Sequence, residues 1–189
     1  MNSEYWCSEG HFNQDQYYFY KELVNKYNPK YILEIGFCTG RSAFSLLNNS
    51  ENIIKFISID IDFDFMKPDG RIMRDKFNNH YKNFKSIECS SQTILNNDFM
   101  NNEYPNGIDW VTVDGDHSYN GCLKDLENVY KYVNTNGIII IDDYKSGLPN
   151  GCSIPSVTKA CDDFYELHPT LIKSEWYCEG KGFCIFEKK

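Results

Sequence analysis

Two short segments concentrate groups that can move protons or hold cations. Asp109-Trp-Val-Thr-Val-Asp114-Gly-Asp116-His117-Ser118-Tyr119 closes an apolar run with carboxylates and an imidazole, and Ile138-Ile-Ile-Ile-Asp142-Asp143 closes another with two carboxylates. Histidine, with an ordinary pKa of about 6.5, can take a proton near neutral pH. Carboxylates that converge in one crevice repel one another unless a proton or cation is shared, and a cation is the simpler expectation here. Such hard oxygen donors suit magnesium or calcium better than zinc. The competing role for His117 is to cap the helix that follows. Two runs ending in such groups together favour chemistry.

A second pair of segments points to a bound ligand. Glu34-Ile-Gly36-Phe37-Cys-Thr-Gly40-Arg-Ser42 follows a short apolar run and precedes a helical pattern. A ligand approaching that turn needs glycine, because a Cβ would block the backbone, and the helix start beyond it offers unpaired N–H groups. The spacing Gly-x-x-x-Gly differs from the Gly-x-Gly-x-x-Gly of dinucleotide sites, which argues against a nicotinamide oxidoreductase. About 20 residues past the second glycine, Ile57-Ser-Ile-Asp60-Ile61-Asp62 ends another apolar run in a carboxylate, the place where doubly wound sheets bind ribose hydroxyls. Asp62 is the alternative; the strand pattern reaches Asp60 first.

These groups need a scaffold that gathers strand ends. Tyr17, Tyr20, Leu23, Val24 and Tyr27 recur at helical spacing over Gln14 to Tyr27, and Asn28-Pro29 stops that helix. Strands are predicted at Tyr31 to Gly36, Lys55 to Ile61, Lys85 to Cys89, Trp110 to Val113 and Gly137 to Ile141. They are short and mostly apolar, as in parallel sheets buried on both faces. Helices are predicted from Gly40 to Leu47, through Cys122, Leu126, Val129 and Val133, and through Val157 to Leu167. The chain closes with strands at Leu171 to Cys178 and Gly182 to Glu187, joined by a turn at Glu179-Gly180-Lys181-Gly182. Strands alternating with helices make a doubly wound α/β sheet. No repeat or low-complexity linker divides the chain, so residues 1–189 are expected to form one domain, with 1–13 irregular.

Composition excludes other classes. Hydrophobic residues make up 41% and charged residues 24%, as in a globular protein rather than a disordered one. A net charge of −8 and scattered basic residues argue against nucleic acid as a partner. No apolar run approaches the ~20 residues that span a bilayer, and no secretory leader is evident, so a reducing cytoplasm is expected. The eight cysteines contain no Cys-x-x-Cys pair, so they read as small buried hydrophobes rather than zinc ligands.

Taken together, Leu-Glu-Ile-Gly-x-x-x-Gly-x-Ser, the acidic end of the second strand, Val-Asp-Gly-Asp-His-Ser-Tyr and Asp-Asp-Tyr resemble the class I S-adenosylmethionine-dependent methyltransferases. In particular they resemble the macrocin-type branch that methylates sugar hydroxyls. The resemblance covers residues 10 to 187 and implies a Rossmann-like, seven-stranded, mostly parallel sheet with a C-terminal antiparallel strand pair. It implies that Glu34, Gly36, Phe37, Gly40 and Ser42 surround the methionine part of the cofactor, with Asp114 close by. Asp60 would hold the ribose, Ile61 would lie against the adenine, and Ser90 and Ser91 would contact its ring. Branch members that use a divalent cation, such as Mg2+, bind it at positions matching Asp114, Asp142 and Asp143, and their base matches His117. The implied acceptor is a small carbohydrate; a catechol-like phenol or a non-catalytic cofactor-binding module are the alternatives. Acceptor choice would rest on Asn2 to Phe12 and the loop from Tyr144 to Pro155. Oligomeric state is left open.

Overall fold

The computed structural model describes residues 5–8, 10–145, 154–178 and 180–189. Its centre is a seven-stranded sheet in the order β3-β2-β1-β4-β5-β7-β6. The five strands β1 (Tyr31–Ile35), β2 (Lys55–Asp60), β3 (Phe84–Glu88), β4 (Ile108–Val113) and β5 (Val133–Ile141) run parallel. The last two, β6 (Ile172–Cys178) and β7 (Lys181–Glu187), form an antiparallel hairpin, and β7 pairs antiparallel with β5. This is the doubly wound α/β sheet with a C-terminal antiparallel pair that the sequence implied.

Side chains alternate across each strand, so the sheet builds two cores. Leu33, Ile35, Ile57, Ile59, Val111 and Val113 face one side, packed under α6 (Tyr119–Tyr130) and α7 (Pro155–Leu167). Ile32, Phe56, Trp110, Ile138 and Ile140 face the other, under α1 (Gln14–Tyr27), α2 (Arg41–Asn49) and α3 (Asp69–His80). Alternating faces that are both apolar give the continuous hydrophobic runs of the sequence. Each fully buried Ile or Leu contributes about 1.5–3 kcal/mol of burial.

Helix α1 has the bounds read from its periodicity, because both ends are locally encoded. Asn13 and Gln16 form a reciprocal capping box, and Asn28 closes the C-terminus in a left-handed conformation. One assignment needs correction. Val133 continues the spacing of Cys122, Leu126 and Val129, yet α6 stops at Tyr130 and Val133 opens β5, paired with Ile108. It enters the same core from a strand, so the spacing is coincidental. Asn134 and Asn136 interrupt the apolar pattern and hide the first half of β5, which starts four residues before Gly137. The helices α3, α4 (Ser91–Ile94) and α5 (Asn97–Glu103) carry no clear periodicity: α3 buries only Gly70, Met73 and Phe77. Among the described residues, no helix is long and apolar enough to cross a membrane. Cys7, Cys122, Cys161 and Cys184 are free and buried. Most of the loop from Tyr144 to Pro155, the residues Asn2 to Glu4, and Glu179 in the hairpin turn lie outside the described residues.

Candidate active site

The carboxyl ends of the parallel neighbours β2, β1, β4 and β5 lie along one edge of the sheet, where doubly wound folds place their ligand crevice, and the glycine turn follows β1 there. Gly36 has φ +94°, and a Cβ there would lie 2.0 Å from the carbonyl oxygen of Asp114. Glycine is thus demanded by the approach of two strand ends, before any ligand is considered. Gly40, with φ +74°, lies over the Phe37 ring, where a Cβ would come within 2.5 Å. Phe37 itself is buried among Phe63, Phe77 and Phe84, so its ring lies in the core beneath the turn. Helix α2 starts at Gly40 with no side chain capping its first turn. Its first N–H groups carry the partial positive charge of a helix start.

Two carboxylates brace this turn. Asp60 Oδ2 accepts the N–H groups of Phe37 (2.7 Å) and Cys38 (3.0 Å), and Oδ1 accepts that of Asp62 (3.0 Å). The carboxylate keeps further acceptor capacity, since two oxygens offer about four lone-pair sites. Glu34 is completely buried, with Ser42 Oγ and Ser58 Oγ each donating at 2.5 Å. Burial pushes its carboxyl up to about 8, against the two hydroxyl donors and with help from the charges of Asp114 and Asp60. Glu34 therefore ties β1, β2 and α2 together beneath the turn.

Beyond Asp60, Ile61 projects into solvent with 73% exposure. The Cys89 N–H donates to the Asp60 carbonyl at 2.9 Å, which brings the following Ser90 and Ser91 alongside. Ser91 Oγ is engaged by Asp125 Oδ1 at 2.7 Å. Asp125 is buried with its second oxygen unpartnered among the described residues, and burial pushes its carboxyl up to about 6. Asp125 carried no signal in the sequence; on a polar helix face it looks like a solvated acid.

The other end of the crevice gathers charges. His117 Nε2 lies 3.2 Å from Asp114 Oδ1 and 3.7 Å from Asp143 Oδ2. The cap of α6 is Ser118, whose side chain accepts the Gly121 N–H, so His117 is not spent on capping. Its carbonyl accepts from Ser156 Oγ at 2.6 Å, which ties the loop to the start of α7. The Asp114 hydrogen bond raises the His117 pKa above 6.5 more than burial lowers it, with the charges of Asp114, Asp143 and Asp142 adding. Burial, and then the Asp143 charge, pushes the Asp114 carboxyl up, against its bond to His117. With Nε2–H donating to Asp114, Nδ1 is the nitrogen left to accept a proton.

Of the three carboxylates expected to hold a cation, two meet. Single donor atoms of Asp114, Asp143 and His117 lie within 4.8 Å of one another. Asp142 is buried to the side, with Gln16 Nε2 donating at 3.4 Å and the Asp143 N–H at 2.7 Å. Burial, then Asp114, pushes its carboxyl up to about 8. Lys181 completes the group: its Nζ is 2.9 Å from Asp143 Oδ1. Burial alone would lower its ammonium, but Asp142, Asp143 and Asp114 outweigh that and hold it above its ordinary value. A lysine in a predicted turn reads as surface, so only the β5–β7 register reveals it.

Comparisons with known proteins agree with this architecture. A family model described as a methyltransferase domain matches residues 33–144, which span the glycine turn, Asp60, Asp114, His117, Asp142 and Asp143. An uncharacterised protein of Acanthamoeba polyphaga mimivirus is 33% identical over 132 residues, covering 69% of this chain; the match spans 59% of that protein's length. The O-methyltransferase of Bacillus cereus, solved in complex with S-adenosylhomocysteine, superposes with a TM-score of 0.73 at 20% identity, over 97% of this chain and 84% of that one. An O-methyltransferase of Streptomyces achromogenes involved in tomaymycin synthesis, solved with S-adenosylmethionine, gives 0.69 at 13% identity, over 95% and 82%. At such identities the solved structures speak for the fold, while the family match covers more than half of the chain. The chain belongs to the methyltransferase-domain family.

Proposed function

We propose that the chain is an S-adenosylmethionine-dependent O-methyltransferase acting on a hydroxyl of a small acceptor, with a sugar or glycan unit as the favoured class. The observation that carries this reading is the contact of His117 with Asp114, whose backbone abuts Gly36 in the glycine turn. The cofactor supplies a methyl group on a sulfonium, which leaves as the thioether when an oxygen displaces it in line.

The chain's own residues do the rest. Backbone groups of the turn and the start of α2 surround the methionine part, and the remaining lone pairs of Asp60 accept the ribose hydroxyls. Ile61 covers the adenine, with Ser90 and Ser91 at its edge. His117 Nδ1 takes the acceptor proton, and Asp114, bonded to Nε2, stabilises the imidazolium that forms. Such general-base assistance supplies about 10²–10⁴-fold, and holding the two reactants in line supplies much of the remainder.

The donors also bear on a divalent cation. The Asp114 and Asp143 carboxylates are hard donors of the kind Mg2+ takes, yet both are already engaged, Asp114 by His117 Nε2 and Asp143 by the Lys181 ammonium, so the base role of His117 is assigned with no metal ion in the step. The buried free thiols suit a reducing cytoplasm.

The test is a panel of free sugars, glycosides and catechols incubated with methyl-labelled S-adenosylmethionine and read by mass spectrometry. A sugar gaining one methyl group supports the reading. Label on catechols alone moves the acceptor to phenols. Cofactor binding with no labelled product across the panel favours the non-catalytic module.

A further inference from the structure

One charge in the crevice is unused by this mechanism. Asp114, Asp142 and Asp143 crowd two adjacent strand ends, and Lys181 reaches them from the far end of the sequence. Its Nζ lies 2.9 Å from Asp143 Oδ1, with the two side chains only 16% and 10% exposed. Strand register puts it there. Ile141 faces Cys184 across the antiparallel β5–β7 pair, and the Tyr144 N–H donates to the Gly182 carbonyl at 3.2 Å. The backbones meet so closely that a Cβ on Gly182 would lie 1.7 Å from the Lys145 carbonyl oxygen. Lys181 is thus delivered to Asp143 by the sheet itself.

Asp143 divides its oxygens between two partners: Oδ1 faces the ammonium and Oδ2 faces His117. A divalent ion seated among Asp114, His117 and Asp143 would meet a fixed positive charge a few ångströms away, where like charges repel strongly in a partly dehydrated site. We infer that Lys181 is a tethered cation that holds Asp143 in place of a divalent metal ion, so that the crevice is assembled without metal and an incoming ion must displace the ammonium. The inference rests on the proposed reading of Asp114, His117 and Asp143 as the reacting end. Lys181 is a positioning residue in it, acting through Asp143.

The test needs no acceptor. Mn2+ binding is followed by electron paramagnetic resonance in the wild type, Lys181→Met, Lys181→Arg, and Lys181→Met combined with Asp143→Asn. S-adenosylhomocysteine is titrated calorimetrically into the same samples. Lys181→Met is expected to bind Mn2+ at least about tenfold more tightly than the wild type, because the competing charge is gone. Lys181→Arg keeps the wild-type weakness, and adding Asp143→Asn cancels the gain. Equal Mn2+ affinity in the wild type and Lys181→Met overturns the inference, as does a gain that survives Asp143→Asn. Should Lys181→Met fail to fold, Lys181→Gln takes its place in the same comparison. A wild type that binds no S-adenosylhomocysteine would count against the methyltransferase reading, whereas the Mn2+ comparison would still decide the role of Lys181.

Discussion

At the glycine-turn end of the crevice, carboxylates are satisfied by neutral donors: Ser42 and Ser58 for Glu34, and the N–H groups of Phe37, Cys38 and Asp62 for Asp60. At the other end, Asp114 and Asp143 are satisfied by ionisable groups, His117 and Lys181. The first arrangement is fixed by strands β1 and β2 and the turn between β1 and α2. The second is assembled from β4, β5 and β7 and holds only while its charges balance. A binding end benefits from rigidity, whereas a reacting end must let a proton move, and the two kinds of partner match those two needs.

Breaking the rigid end at its tightest point should have the largest effect. Gly36→Ala places a Cβ against the Asp114 carbonyl at a backbone conformation that favours glycine. Overpacking and left-handed strain each cost about 1–3 kcal/mol, so a large drop in the denaturation midpoint and loss of cofactor binding are expected. An alanine variant as stable as the wild type would show that the two strand ends can part.

His117→Ala addresses the charged end alone. Turnover should fall by about 10²–10⁴-fold with S-adenosylhomocysteine affinity preserved, since Ser118 still caps α6. In the wild type the rate should climb with pH through a limb centred above 6.5, because the base acts when neutral and Asp114 raises its pKa. A limb at or below the ordinary histidine value would remove His117 from that role.

Asp60→Ala returns to the neutral end with a smaller effect. It removes charge-assisted hydrogen bonds worth about 1.5–3 kcal/mol each, so cofactor affinity should fall by about tenfold or more. Asp62→Ala is the control: among the described residues Asp62 Oδ1 accepts only the nearby Asp64 N–H, and affinity should hold. The reverse pattern would move the ribose contact to Asp62.

The smallest effect concerns Glu34. Its folded-state pKa of about 8 exceeds the ordinary 4.5, so the folded chain keeps a proton that the unfolded chain releases. That stabilisation is complete below about pH 4.5 and is lost as pH rises through about 8. Thermal midpoints should therefore decline over this window, and Glu34→Gln should flatten the decline. Part of the slope will remain, because Asp142 is displaced in the same direction. An unchanged slope would mean that Glu34 stays ionised.

The same contrast governs what could be read from the sequence. The rigid end is built from local pieces: the strand, the glycine turn and the Asp60 strand end each lie within one short stretch, so pattern and spacing locate them. The charged end depends on pairing between distant segments. Asp114, His117 and Asp143 were legible because each ends or follows an apolar strand, but which carboxylates meet depends on side-chain direction, and Asp142 turns toward Gln16 instead. Lys181 was illegible because nothing local distinguishes it from a solvated turn residue. Polar helices such as α3 escaped for a related reason: with so few buried positions, they leave no period to detect.

The most direct measurement is a calorimetric titration of the wild-type chain with S-adenosylhomocysteine. Saturable binding at one site per chain, weakened by Asp60→Ala and untouched by His117→Ala, is the predicted result. Absence of saturable binding in a folded wild-type sample, or binding lost in His117→Ala but kept in Asp60→Ala, would contradict the division of the crevice into a cofactor end and a reacting end.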